Sequence, residues 1–354
     1  MCHRRPASGG VRAALLAAAL PDRNGLRGGY FEWYEDIAEQ GCPAERSGRR
    51  GWPGLGGPVT ADPFAGAAGL VSRSAAAYAS SIPEHPADDG FFGPGSVAWR
   101  VSADLSSPVA GLRALLMQAL HPLAMAGVDQ HSDWRQDPVG RLAATGAYLA
   151  TVTFGDRASA ERAAARVRRI HEHVRGVDTV TGRAYAAGDP ALLLWVHATF
   201  VHSGIVAAGL FGTPLPAPDA DRFVAEMVSE AELVGVPRDL VPASLAGLEA
   251  YLESARPGLR CTPAARESMD YLLDPPGLDE DVEEIWRDVR DAAVGALPAW
   301  AREMYGYDPP PLTDARRAEI HQALGVLDTV FLAEPGVLEA RQRIALRARA
   351  ARRA

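Results

Sequence analysis

The feature of this 354-residue sequence that most constrains its fold is a series of long segments with helical periodicity. Asp137-Pro138 and Asp189-Pro190 each combine an N-cap residue with a proline at the first helical position, and apolar residues then recur at spacings of three and four. Gly155 and Gly176 follow runs of this kind as stop signals. No segment shows sustained period-2 alternation with hairpin turns. The sequence therefore predicts an all-α fold.

The predicted helices begin after about Gly90 and continue to the end of the chain. We expect them at Pro108–Val128, Pro138–Phe154, Arg157–Arg175, Ala191–Phe211, Ala220–Val234, Ser244–Ala255, Pro263–Leu273, Asp279–Tyr305 and Thr313–Leu332. Residues 1–88 are rich in Gly, Pro and Arg without a sustained period, which predicts a flexible, mostly disordered extension before a helical domain at 89–335. We expect residues 336–354 to form a basic C-terminal helix or tail. Its six arginines and one acid favour a solvated, frayed helix end over a contact with a partner or lipid surface.

Composition excludes several classes of protein. The net charge of −8 argues against a nucleic-acid binder, because phosphate binding needs a positive surface. The three cysteines form no CxxC pair, which fits a reducing compartment and excludes an iron–sulfur or zinc-ribbon protein. The apolar run Ala13–Leu20 is short for a signal peptide and has no clear cleavage site, so we expect a cytoplasmic protein. No run approaches the roughly 18 apolar residues of a membrane span. The sequence indicates no particular oligomeric state.

Any metal would have to be held by the nine histidines and the carboxylates. His171 lies in the predicted helix Arg157–Arg175, on a face expected to be buried. Its neighbours on that face, at spacings of three and four, are Ala164, Val167, Ile170 and Val174. His173 points elsewhere. The residues alone leave open whether His171 is a hydrogen-bonded core residue or a metal ligand.

Two further histidines are candidates for the same site. His121 precedes Pro122 inside a helical run, which predicts a kink that either aims the imidazole into a cavity or lets it cap free carbonyls. His197 lies on the Leu194 and Val201 side of an apolar helix, where it is either a core residue bonded to a neighbouring helix or part of a site.

Arg141 and Thr145 form a pair at i and i+4, on the face that also carries Tyr148. A buried arginine needs an anion, and both a cofactor propionate and a structural salt bridge to an acid would serve. The acids Glu226, Glu230 and Glu232 are expected on a solvated helix face.

Other catalytic motifs are missing from the sequence. It has no GxSxG, GxxxxGK[ST] or HExxH motif, and no Glu followed by His three residues later, so the di-iron carboxylate hypothesis loses its main support.

The order of several sequence blocks closely resembles the MpaB-type and latex-clearing (rubber) oxygenase family. The blocks are LLMQALHPLAMAGVDQHSDW (115–134), RLAATGAYLATVTFG (141–155), VRRIHEHVRG (167–176), AYAAGDPALLLWVHATFVHS (184–203) and LVGVPRDLVP (233–242). The similarity covers about Phe91 to Leu273 and is weaker beyond. It implies a helical fold with a globin-like core that holds haem b, and oxidative cleavage of isoprenoid double bonds with dioxygen.

The resemblance also implies roles for individual residues. His171 matches the proximal iron ligand, whose other ring nitrogen we expect to bond to a carbonyl or an acid. Arg141 and Thr145 match residues that line the haem pocket. The predicted catalytic residues are thus Arg141, Thr145 and His121, and the predicted cofactor-binding residues are His171, Arg141, Thr145 and His197. The expected partners are dioxygen and an apolar small molecule. The alternatives are a haem-dependent oxidase or dehydrogenase of a secondary metabolite, and a non-catalytic haem-binding protein.

Ala144 is an informative departure from the latex-clearing branch, which carries a lysine just before the matching threonine. A lysine-ligated haem iron is therefore not available from this position. The resemblance implies haem oxygenase chemistry in general and argues against rubber cleavage in particular.

Overall fold

The computed structural model describes residue 82 and residues 86–353, except 133, 137, 276–279 and 332–334. The extension predicted for residues 1–88 therefore lies almost entirely outside the described residues. Within them, the helices are α1 (Val97–Ser102), α2 (Ser107–Ala119), α3 (Pro122–His131), α4 (Pro138–Phe154), α5 (Arg157–His173), α6 (Pro190–Phe211), α7 (Ala217–Val234), α8 (Leu245–Ala255), α9 (Pro263–Leu273), α10 (Glu280–Gly295), α11 (Ala299–Tyr305), α12 (Asp314–Phe331) and α13 (Pro335–Arg353). The strands are β1 (Arg175–Val177) and β2 (Ala184–Ala186). The prediction of an all-α fold is confirmed.

Two of the predicted helices are each divided in the structure. The predicted helix Pro108–Val128 is α2 and α3, which meet at an angle of 101° because His121-Pro122 cannot continue the helix. The predicted kink at His121 is confirmed. The predicted helix Asp279–Tyr305 is α10 and α11, separated before Pro298, which is the N-cap of α11.

Helix α6 is the central element of the core. It packs most extensively on α2 and also contacts α7, α8 and α12. Apolar or small residues surround it, so Trp195, Val201 and Phe211 are all buried. By length and composition α6 is the one described helix that could cross a membrane alone, and the bent pair α2 and α3 passes the same test together. Most of α6 is buried inside the protein, which is typical of a core helix.

Helices α4 and α5 form an antiparallel hairpin that carries most of the predicted site. Gly155 and Asp156 join the two helices, and the Asp156 carboxylate caps α5 by accepting a 2.7 Å hydrogen bond from the Ser159 N–H. Helix α5 was expected to reach Arg175 but ends at His173, because Arg175 begins β1, which pairs antiparallel with β2. Helix α7 packs on both α5 and α6. The hairpin is thereby held against the core.

The C-terminal helix α13 packs on the rest of the protein. Arg341 forms a buried ion pair with Asp328 of α12, with a 2.6 Å bond from Nη1. Ala340 belongs to a small apolar cluster with Trp99 and Phe154. The expectation of a solvated, frayed end is therefore wrong for this part of α13, since its inner face carries the residues that dock it.

Candidate functional site

The register of the α4–α5 hairpin brings Arg141 and His171 to the same level. Arg141 lies thirteen residues before Phe154, the last residue of α4, and His171 lies fourteen residues after Arg157, the first residue of α5. Both helices rise about 1.5 Å per residue, so the two side chains sit at equal distances from the turn. Consistent with this, burial and then the charge of Arg141 lower the pKa of His171.

His171 differs from every other histidine that the structure describes. Its Nδ1 is buried without a hydrogen-bond partner. The other described histidines all have at least one hydrogen bond, and they are His121, His131, His173, His197, His202 and His321. A buried polar atom without a partner is costly and calls for an explanation. An imidazole with an unused nitrogen is what a metal ligand requires before its metal binds.

Two expectations about His171 are wrong. We expected one ring nitrogen to bond to a carbonyl or an acid, but no described residue bonds to its side chain. We also expected Ile170 on the buried face, but Ile170 is 53% exposed. The inner face of α5 is centred on Ala160 and Ala164, and Ile170 lies about 100° around the helix from His171, at the edge of that face.

Arg141 lies at the level of His171, on the other helix of the hairpin. Arg141 is exposed, so the expectation of a buried arginine is wrong, although desolvation by the surrounding protein lowers its pKa. Among the described residues, no carboxylate forms an ion pair with it. Of the two partners expected for Arg141, the structural acid is thus missing from this part of the chain. A positive group that lacks an internal anion suits an anionic ligand such as a propionate.

Thr145 lies one turn after Arg141 on the same helix and is exposed. Its hydroxyl donates a 3.0 Å hydrogen bond to the Arg141 carbonyl oxygen of its own helix. This back-bond uses the single proton of the hydroxyl, so Thr145 can still accept a hydrogen bond from a ligand but has no free proton to donate.

Tyr148 reaches from the same face of α4 towards α5 and α7. Its hydroxyl is buried without a hydrogen-bond partner. Burial and then the charge of Glu230 raise the pKa of Tyr148, while Arg168 acts in the opposite direction. The phenol is therefore neutral and keeps its proton at neutral pH.

Glu230 was expected on a solvated face but is only 7% exposed, so that expectation is wrong. It lies three residues after Met227 and seven after Phe223, and both of these are buried on the face of α7 that meets the core. Its Oε2 accepts a 2.5 Å hydrogen bond from Nδ1 of His197, which is also buried. The spacing from Phe223 and Met227 was the sequence signal for this burial.

His197 and His121 both have structural partners. Nδ1 of His197 bonds to Glu230, as expected for a core histidine bonded to a neighbouring helix. A role of His197 in cofactor binding stays a prediction. His121 is the N-cap of α3, where Nδ1 accepts a 3.3 Å hydrogen bond from the Ala124 N–H. The imidazole thus caps amide groups at the start of α3 and not carbonyls at the end of α2. A catalytic role for His121 stays a prediction.

No group of three or more His, Cys, Asp or Glu side chains in the described part of the chain could hold a bare metal ion. The donor set around His171 is therefore a single imidazole with a nearby guanidinium. Such a set suits a metal that brings most of its own ligands, as a porphyrin-bound iron does. The residues present fit a haem.

Comparison with known proteins identifies one family. A family model described as "ER-bound oxygenase mpaB/B'/Rubber oxygenase, catalytic domain" matches residues 99–329, well over half of the chain. No curated protein and no solved structure matches. The matched range runs from α1 to α12 and includes every predicted site residue. The chain therefore belongs to the family of mpaB and rubber oxygenase catalytic domains.

Proposed function

We propose that this protein is a haem b-dependent oxygenase that uses dioxygen on an apolar small molecule, such as an isoprenoid alkene, whose double bond it cleaves. The observation that carries the proposal is the buried, unpartnered Nδ1 of His171, in a chain of an oxygenase family. We further propose that the protein acts in the cytoplasm.

The roles of the residues follow from their chemistry. His171, whose pKa is lowered by burial and by Arg141, offers a neutral imidazole nitrogen that would hold the haem iron. Arg141 supplies a fork of donors for a propionate. Thr145 offers an acceptor oxygen on the same helix face. When bound, the haem would supply the activation of dioxygen, while the helices position the residues around it.

The absorption spectrum of the purified full-length protein tests the proposal. After supplementation with haem we expect a Soret band in the wild-type protein and its loss in His171→Ala. His173→Ala is the matched control, because its exposed imidazole lies two residues away on the outer face of the same helix and bonds to the Arg169 carbonyl. A His171→Ala protein that keeps the wild-type Soret band would refute the assignment of the ligand.

Replacing Arg141 tests the predicted contact with a propionate. We expect Arg141→Ala to release haem to an excess of apomyoglobin roughly 10- to 100-fold faster, because a charge-assisted hydrogen bond contributes about 1.5–3 kcal/mol. The control is Arg166→Ala, at an exposed arginine of α5. An unchanged rate in Arg141→Ala would contradict the contact.

Turnover separates the proposed reaction from the alternatives. With labelled dioxygen and a panel of isoprenoid alkenes, an oxygenase incorporates label into carbonyl products. An oxidase or dehydrogenase consumes oxygen or another acceptor without incorporation, and a haem-binding protein does neither. Since Ala144 replaces the lysine of the latex-clearing branch, we expect no cleavage of polyisoprene.

A further inference from the structure

We propose that the Tyr148 hydroxyl is the hydrogen-bond donor that this site presents to a small anionic or oxygen-containing ligand of the haem iron. The inference rests on the proposed function and adds a residue to it. It starts from an observation that the fold does not explain, namely a buried hydroxyl with no protein partner.

The position of Tyr148 links it to the candidate site. It follows Arg141 by seven residues and Thr145 by three, so all three share one face of α4. The buried atoms without partners include both the Tyr148 hydroxyl and the His171 Nδ1, one on each helix of the same hairpin. A buried polar atom without a partner is costly, so a ligand that pairs with both atoms would account for them.

The other residues of this face cannot act as the donor. Ala144 has no polar group, and the Thr145 hydroxyl already donates its proton to the Arg141 carbonyl. Arg141 is needed for an anionic group at the level of His171. Tyr148 is therefore the one hydroxyl on this face with a free proton among the described residues.

The groups around Tyr148 keep its proton in place. Glu230 faces the phenol from α7, and its negative charge disfavours a second negative charge on the tyrosine. Glu230 Oε2 already accepts from His197, which lies on α6. The positive charge of Arg168 on α5 lowers the pKa of Tyr148, but its guanidinium donates a hydrogen bond to the Leu233 carbonyl. The result is a neutral phenol whose hydrogen bond is available to a ligand.

Fluoride binding to the haem-loaded ferric protein tests the inference, because fluoride is a strong acceptor of hydrogen bonds and its binding is followed by absorbance. We expect Tyr148→Phe to lower the fluoride affinity roughly 3- to 10-fold, the factor that one neutral hydrogen bond contributes. The matched control is Tyr251→Phe. Tyr251 lies on α8, and burial likewise raises its pKa to about 12. We expect the Tyr251→Phe variant to bind fluoride with the same affinity as the wild-type protein.

Chemical unfolding of the haem-free proteins separates ligand binding from a structural role. Because the hydroxyl has no protein partner, the midpoint for Tyr148→Phe should equal or exceed that of the wild-type protein. A lower midpoint would show that the hydroxyl makes a structural bond and would overturn the inference. So would an unchanged fluoride affinity in a fully loaded variant, which would leave the proposed function intact. Wild-type protein without a Soret band would overturn both.

Discussion

At the scale of single residues, Arg113 places a positive charge inside the core. It is 1% exposed, and burial lowers its pKa to about 10, so it is still charged at neutral pH. Its partners are uncharged: Nε donates to the Ala296 carbonyl at 2.9 Å and Nη1 to the Ser203 hydroxyl at 2.7 Å. Nη2 lies 3.3 Å from Nδ1 of His202. This geometry requires a neutral His202, because a protonated ring cannot accept.

This contact predicts a dependence of stability on pH. Burial and then Arg113 lower the pKa of His202 to about 4 in the folded protein, against about 6.5 when unfolded. Between pH 6.5 and 4, His202 is therefore protonated in the unfolded chain but still neutral in the folded protein. We expect up to about 3 kcal/mol of unfolding free energy to be lost from this group as the pH falls from 6.5 to 4.

Urea unfolding at several pH values measures the effect. His202→Gln keeps an acceptor for Arg113 but does not titrate, so its stability should fall less over this range than that of the wild-type protein. His131→Gln, at an exposed histidine, should behave like the wild-type protein. Identical pH profiles for His202→Gln and the wild-type protein would contradict the assignment.

At the scale of secondary-structure elements, the 101° bend between α2 and α3 depends on two adjacent residues. Pro122 prevents α2 from continuing, and His121 caps the amides that the new helix exposes. We expect His121→Ala to lower the unfolding free energy by about 0.5–2 kcal/mol, the usual cost of losing an N-cap.

His121→Asn should restore most of that loss, because Asn is a favoured N-cap. Urea unfolding of both variants checks the capping role. Turnover measured on the same proteins checks the predicted catalytic role: a loss of activity in His121→Asn with restored stability would support catalysis by the imidazole.

At the scale of the whole molecule, the ion pair between Arg341 and Asp328 docks the C-terminal helix on α12. Both side chains are buried, so removing one leaves the other charge uncompensated. We expect Arg341→Ala to lower the unfolding free energy by about 3–5 kcal/mol. Asp89→Ala is the control, because it breaks the ion pair to Arg343 of the same helix at an exposed aspartate, where about 0–1 kcal/mol is expected. Equal losses of unfolding free energy in the two variants would contradict this prediction.

Much of the fold could be predicted from local signals. The cap at Asp189, the glycine stops and the proline breaks depend only on residues a few positions away in the sequence. For the same reason α4 and α9 have their predicted bounds, and the kink at His121 lies where Pro122 predicts it. His171 could be selected in the same way, from its periodicity and from the block that resembles the oxygenase family. The division before Pro298 was missed although this proline is the same kind of local break signal as Pro122.

The sequence by itself thus determined most of the helices, several of their ends and the histidine that we propose as the iron ligand. Only the tertiary structure decided which side chains meet across helices. It placed Arg141 level with His171, buried Glu230 against His197, exposed Ile170 and left the Tyr148 hydroxyl without a partner. The physical reason is that periodicity gives the face of a helix but not the neighbour that covers it. Burial, and with it the cost of each charge and each unpaired polar atom, depends on that neighbour.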